Sequence, residues 1–241
     1  MHPLRGYPSG HQGLAGPLRI HEPAGGTCVV APTGVIMAGK RVPPEWAREV
    51  RRLFAAPAPE APAPSRKRPA LRLLEPNPGD AAVFSPPDRL RWSPIPGVER
   101  YLLTLEALID PVEQTWQPVQ DLFLTEVTGT EFQVPAEVKW APGALYRWHV
   151  QTGDEQSLAA GRFRILSESQ RERLLAARRT LGESRLLQAA IYRSFGLYDA
   201  ALTDLRALRS IQPQQPALQR AVTNVEGDIR RQRAAAAESG Y

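Results

Sequence analysis

APGALYRWHVQTGDE, residues 141–155, is the stretch on which the reading of this chain turns. A proline-glycine turn leads into Tyr146, Trp148 and Val150 on one parity and Arg147, His149 and Gln151 on the other. Such alternation describes a strand with one face on a core and the other toward water. The same rhythm runs through residues 70–166. RLRWSP places Leu90 and Trp92 inward, ERYLLTLEAL does so with Tyr101, Leu103 and Leu105, and GRFRIL with Phe163 and Ile165. DLFLTEV and TEFQVP add two more strands, with Phe132 and Val134 alternating, and proline-bounded pieces near residues 70–87 read as edge strands.

About seven strands with turn signals between them match the size of an immunoglobulin-like antiparallel β-sandwich. LRWSPIPGVERYLLTLE (90–106) followed by VPAEVKWAPGALYRWHVQTGD (134–154) resembles the fibronectin type III family. Trp92, Tyr101 and Tyr146 take the places of that family's characteristic aromatics, with Pro142-Gly143 in the turn, while Trp140 stands where the family has Leu. The variant with Y-x-W-x-V in the sixth strand is similar to modules of bacterial envelope proteins. The resemblance implies a binding or scaffold role in an envelope or periplasmic setting. The start as given shows no signal-peptide pattern, which would fit a cytoplasmic protein.

Proline divides the rest. Of 24 prolines, 22 precede residue 143, so only the C-terminal part is free to be helical throughout. SESQRERLLAARRTL opens with a capping box in Ser167 and Gln170. Three further amphipathic stretches follow, separated by Gly196 and by Pro213 to Pro216. The middle pair resembles one tetratricopeptide repeat, through Ala189, Tyr192, Gly196, Ala201, Leu205 and Pro213. Arg185 and Gln188 depart from its pattern. The resemblance implies that Glu183, Leu186, Ala190, Arg193 and Ser194 face a ligand. Leu186 would then meet an apolar anchor and Arg193 a carboxylate. The competing reading buries this face against the sandwich or the preceding helix.

The expected organisation is a disordered tail (1–26), a short hairpin and amphipathic helix (27–54), a proline-rich linker (55–69), the β-sandwich (70–166), a helical region (167–233) and a second disordered tail (234–241). The fold class is β then α. The first helix carries Trp46, Val50, Leu53 and Phe54 on one stripe, which must dock either in cis or on another protein.

Net charge is +5, from 30 basic and 25 acidic residues, and the basic residues are scattered. No nucleic-acid motif accompanies them, so nucleic acid is not an expected partner. The longest apolar stretch is too short and too broken for a membrane span. Cys28 is the only cysteine, which excludes an internal disulfide and a cysteine-based zinc site. His2, His11 and His21 fit no compact metal site, and His149 has no visible nucleophile partner. Asp110, Glu113, Asp121 and Glu126 read as solvating loop residues rather than paired catalytic carboxylates. No cofactor motif is present and no enzymatic activity is expected.

One surface stands out. Arg147, His149, Arg162 and Arg164 should lie side by side on the outward parity of the last two strands. They form either a solvated face or a docking face for an acidic partner or for the helical tail. The expected function is a non-enzymatic protein–protein interaction module. The alternative is an adhesive or carbohydrate-binding module using Trp116 and Trp140.

Overall fold

The structure is a computed structural model, and it describes residues 16–56, 71–76, 81–113, 115–120, 122–153 and 158–238. Most of the expected linker, residues 57–69, and the first part of the expected N-terminal tail lie outside the described residues.

The chain opens with an antiparallel meander of β1 (Leu18–His21), β2 (Thr27–Ala31), β3 (Gly34–Met37) and β4 (Lys40–Arg41). β2 and β3 are the expected hairpin around Pro32-Thr33, with Ala31 opposite Gly34. The β3–β4 turn is Ala38-Gly39, both at positive φ (46° and 78°), as a two-residue hairpin turn requires. β1 corrects the expected tail of 1–26. Its four residues pair with β2, Ile20 lies opposite Cys28, and both are fully buried. Helix α1 (Pro44–Leu53) follows, with proline in its first turn and Ala47, Val50 and Leu53 buried.

The second part holds two sheets. β5 (Leu73–Glu75), β7 (Arg89–Trp92) and β11 (Glu131–Gln133) form one, in the order β11-β7-β5. The other contains β6 (Ala82–Val83), β8 (Arg100–Asp110), β9 (Thr115–Pro118), β10 (Thr125–Thr128), β12 (Leu145–Thr152) and β13 (Leu158–Ile165). Its order is β10-β8-β12-β13-β6, with β9 on the far end of β8. All pairs are antiparallel except β6 with β13. One core takes the inward parity of both sheets, including Trp92, Tyr101, Leu103, Tyr146, Trp148 and Phe163. Trp92 meets Tyr101 edge to face at 5.6 Å, and Tyr146 stacks on Phe163 at 5.5 Å. The inward residues are those the alternation predicts. β9 is an addition, formed because β8 runs on to Asp110 and folds back.

Four helices complete the chain: α2 (Glu168–Leu181), α3 (Arg185–Ser194), α4 (Tyr198–Ile211) and α5 (Pro216–Glu238). The capping box is present, with Gln170 N donating to Ser167 Oγ at 3.2 Å and Ser167 N to Gln170 Oε1 at 3.0 Å. α5 runs to Glu238, so the helical region extends past the expected boundary at residue 233.

The largest correction concerns the partition. Ile20, Val30, Val35, Val50 and Leu53 share a single core with Leu187, Leu205, Leu218 and Val225. Residues 18–54 and the last three helices are therefore one packing unit, with the two-sheet part and α2 inserted between them. α1 docks in cis, against α3 and α5, so residues 18–54 are not separable from the fold.

Polar contacts fix how the segments meet. Glu22, on the turn after β1, accepts from Ser184 Oγ (2.7 Å) and from the backbone N–H groups of Arg185 (3.0 Å) and Leu186 (3.4 Å). A carboxylate from the N-terminal sheet thus caps α3, where unpaired N–H groups and the helix dipole favour negative charge. Asn224 on α5 donates to the carbonyls of Leu53 (2.8 Å) and Ala55 (2.9 Å) at the end of α1. Gln212 pairs with both backbone groups of His21, covering the free edge of β1. A third small core, with Ala82, Leu166, Ile191 and Leu197, joins the helices to the sheets. There Gly196 (φ 78°) accepts from Ala81 N at 3.0 Å, and a Cβ at Gly196 would stand 2.9 Å from Ala81 Cβ.

Glu22→Ala leaves the α3 donors and the Ser184 hydroxyl without their acceptor and should cost about 1–3 kcal/mol. Leu186→Ala should cost about 2–5 kcal/mol through lost packing and a cavity. Chemical unfolding followed by far-UV circular dichroism checks both.

Candidate functional site

β12 presents Arg147 and His149 on its outer face, as the alternation predicts. The register puts Arg147 between Glu106 of β8 and Arg162 of β13. Arg147 Nε donates to Glu106 Oε2 at 2.6 Å and its Nη2 to Oε1 at 3.1 Å, a bidentate fork. The guanidinium also lies 4.6 Å from the centroid of the Trp116 ring. The pair is well shielded, since the side chains of Arg147 and Glu106 are only 25% and 9% exposed. Outward residues of a sheet are rarely buried this far, and sequence alternation alone gives no sign that Thr104 and Glu106 are.

His149 lies opposite Thr104 on one side and Ala160 on the other, half-buried. Burial pushes its pKa below the ordinary 6.5, with Glu106 pulling it up and Arg147 down. Burial and Arg147 likewise push Arg162 below the usual guanidinium value. Arg164 is exposed and lies opposite Leu145, at the far end of the strand from His149. α5 rests against β13. Chemically the cluster is a bidentate ion pair flanked by a half-buried imidazole, an arrangement that ties β8 to β12.

The expected ligand face of α3 is also internal. Leu186 and Ala190 are buried in the shared core, and Arg193 Nε bonds Asp228 Oδ2 on α5 at 2.6 Å. Asp228 is held in turn by Arg231. Leu186 and Arg193 are thus corrected from docking residues to packing residues. The reason is that α1, the N-terminal sheet and α4, rather than the sheets or α2 alone, close over α3. The residues that organise this arrangement, Glu22, Gln212 and Asn224, were missed. The only trace in the sequence is a polar residue interrupting an apolar stripe, as Asn224 does between Val222 and Val225.

The aromatics proposed for sugar binding are occupied. Trp116 lies under Arg147, and Trp140 packs edge-on against Tyr146 at 4.9 Å and beside Phe163 at 6.0 Å. Asp110 accepts from the N–H groups of Val112 and Glu113, and Glu126 pairs with Arg100 at 3.2 Å. His21 Nδ1 lies 3.1 Å from Thr27 Oγ1. Asp121, His2 and His11 lie outside the described residues. Among the described residues no helix is long and apolar enough to cross a membrane.

Among the described residues, two open surfaces bear on function. One is a cavity of about 460 Å³ between the β1–β2 and β3–β4 turns and the α2–α3 connection. The other surrounds β9, where Ile109 (58%) at the end of β8, Val112 (91%) in the turn after it, and Phe123 (56%) and Leu124 (45%) before β10 are exposed. No protein-family profile matches the sequence, and no curated protein resembles it closely enough to count as a relative.

Two outcomes follow from the buried charges. Arg193→Glu should destabilise the isolated protein by up to about 3–5 kcal/mol, the cost of breaking a buried pair, read as a lower unfolding midpoint. For His149, the folded pKa lies below the unfolded one, so folding favours the neutral ring. Its contribution is complete above the unfolded value near 6.5 and declines as pH falls below it. Urea midpoints measured at neutral and mildly acidic pH should converge in His149→Asn relative to the unmodified protein.

Proposed function

We propose that this chain is a non-enzymatic protein–protein interaction module: a fibronectin type III-like β-sandwich built against a tetratricopeptide-like helical region, serving a bacterial envelope or regulatory assembly. The strand layout supports the sandwich reading, with β5, β7 and β11 facing β10, β8, β12, β13 and β6. So does Tyr146, whose hydroxyl accepts from Ala141 N at 2.8 Å, a tyrosine tied back to the backbone just upstream as such sandwiches use. The helical reading is supported by the α3–α4 pair and its Gly196 turn.

One observation carries the functional reading. β9 and β10 each pair only with β8 among the described residues, and exposed apolar side chains flank them: Ile109 near the end of β8, Val112 in the turn before β9, and Phe123 and Leu124 just before β10. An open strand edge with apolar side chains beside it is a liability that folds usually cover. This chain does cover the edge of β1, with Gln212. The β8 side is left for another protein.

A photo-crosslinking residue placed at Val112 or Phe123 in cells tests this. Discrete adducts at both positions, and none at the exposed Arg48 on α1, are expected. Crosslinking no better than at Arg48 contradicts the reading.

A further inference from the structure

The cavity beside the α2–α3 connection has a built composition that no part of the interaction reading uses. Its floor is apolar, made by Met37, Val42, Leu181 and Leu187. Its rim carries Lys40, Arg41 and Arg179, none of which has an ion-pair partner among the described residues. About 460 Å³ lies within the range of small-molecule sites, which are mostly apolar with a few polar groups that orient the ligand.

The lining also contains two carboxylates, Glu22 and Glu183. Glu22 is turned into the protein, its oxygens taken by Ser184 and the first N–H groups of α3. Counting both acids against the three cations leaves one net positive charge, which suits a monoanionic head group and disfavours a dianionic phosphate. We propose that this cavity binds a small organic acid, with its apolar body on Met37, Val42, Leu181 and Leu187 and its carboxylate held by Lys40, Arg41 and Arg179. Because the walls come from the N-terminal turns and from α2–α3, such a ligand bridges the two ends of the chain. It binds the folded state only and raises stability by mass action.

Decanoate is a direct probe, used with the full chain in isothermal titration and thermal unfolding. Saturable binding of one decanoate per chain and an upward shift in Tm are expected, with neutral nonanol and cationic decyltrimethylammonium giving neither. Replacing Lys40, Arg41 and Arg179 together by Ala should weaken decanoate binding at least about tenfold while leaving the ligand-free Tm unchanged, since all three side chains are exposed. Glu183→Gln should move affinity the other way and tighten binding. No saturable binding of decanoate, equal binding of nonanol, or an unaltered affinity in the triple variant would each overturn the proposal.

Discussion

Helix α3 buries Leu186, Leu187, Ala189, Ala190 and Ile191, leaving only the stripe of Arg185, Gln188 and Tyr192 and the last residues of the helix partly open to water. A ten-residue helix with that pattern has no stability of its own and must be enclosed by other elements. α4 covers one side and α2 part of another, and the remainder is closed by α1 and the N-terminal sheet. This single requirement explains why a short meander and a short helix at the start of the chain persist. Neither has enough apolar area to fold alone, and each finds its partner at the other end of the sequence.

Enclosure brings a second requirement. Helix ends and strand edges that leave water need partners for their backbone groups. Glu22 satisfies the start of α3, Asn224 the end of α1, and Gln212 the edge of β1. Apolar burial alone would allow the N-terminal segment to slide on the helices, whereas these bonds are directional and fix one register. The same logic operates at the junction with the sheets. There the Gly196 carbonyl takes the N–H groups of Ala81 and Ala82, and Ile191 and Leu197 share a small core with Leu166.

Much of this was legible in the residues. Period-two alternation identified the inward faces of β7, β8, β12 and β13, because a core on one side imposes that pattern directly. The capping box at Ser167 and Gln170 was equally readable, since its chemistry is local. β1 was not, because four residues flanked by Gly and Pro carry too little pattern and draw their stability from β2 and from helices far along the chain. Leu186 and Arg193 were misassigned for a related reason. A helix face apolar enough to bind a ligand looks the same as one filled by a remote segment of its own chain. The Glu106–Arg147–Trp116 stack needed the register of three strands, which only the folded chain supplies.

The central claim is that residues 18–54 and the helices from α3 to α5 form one cooperative unit although the two-sheet part separates them in sequence. Native-state hydrogen exchange resolves this amide by amide. The account predicts that Val30, Val50, Leu187 and Val225 open with a common free energy and respond alike to low concentrations of denaturant. Exchange of Val30 and Val50 through a much lower-energy opening, with Leu187 and Val225 still protected, would contradict it.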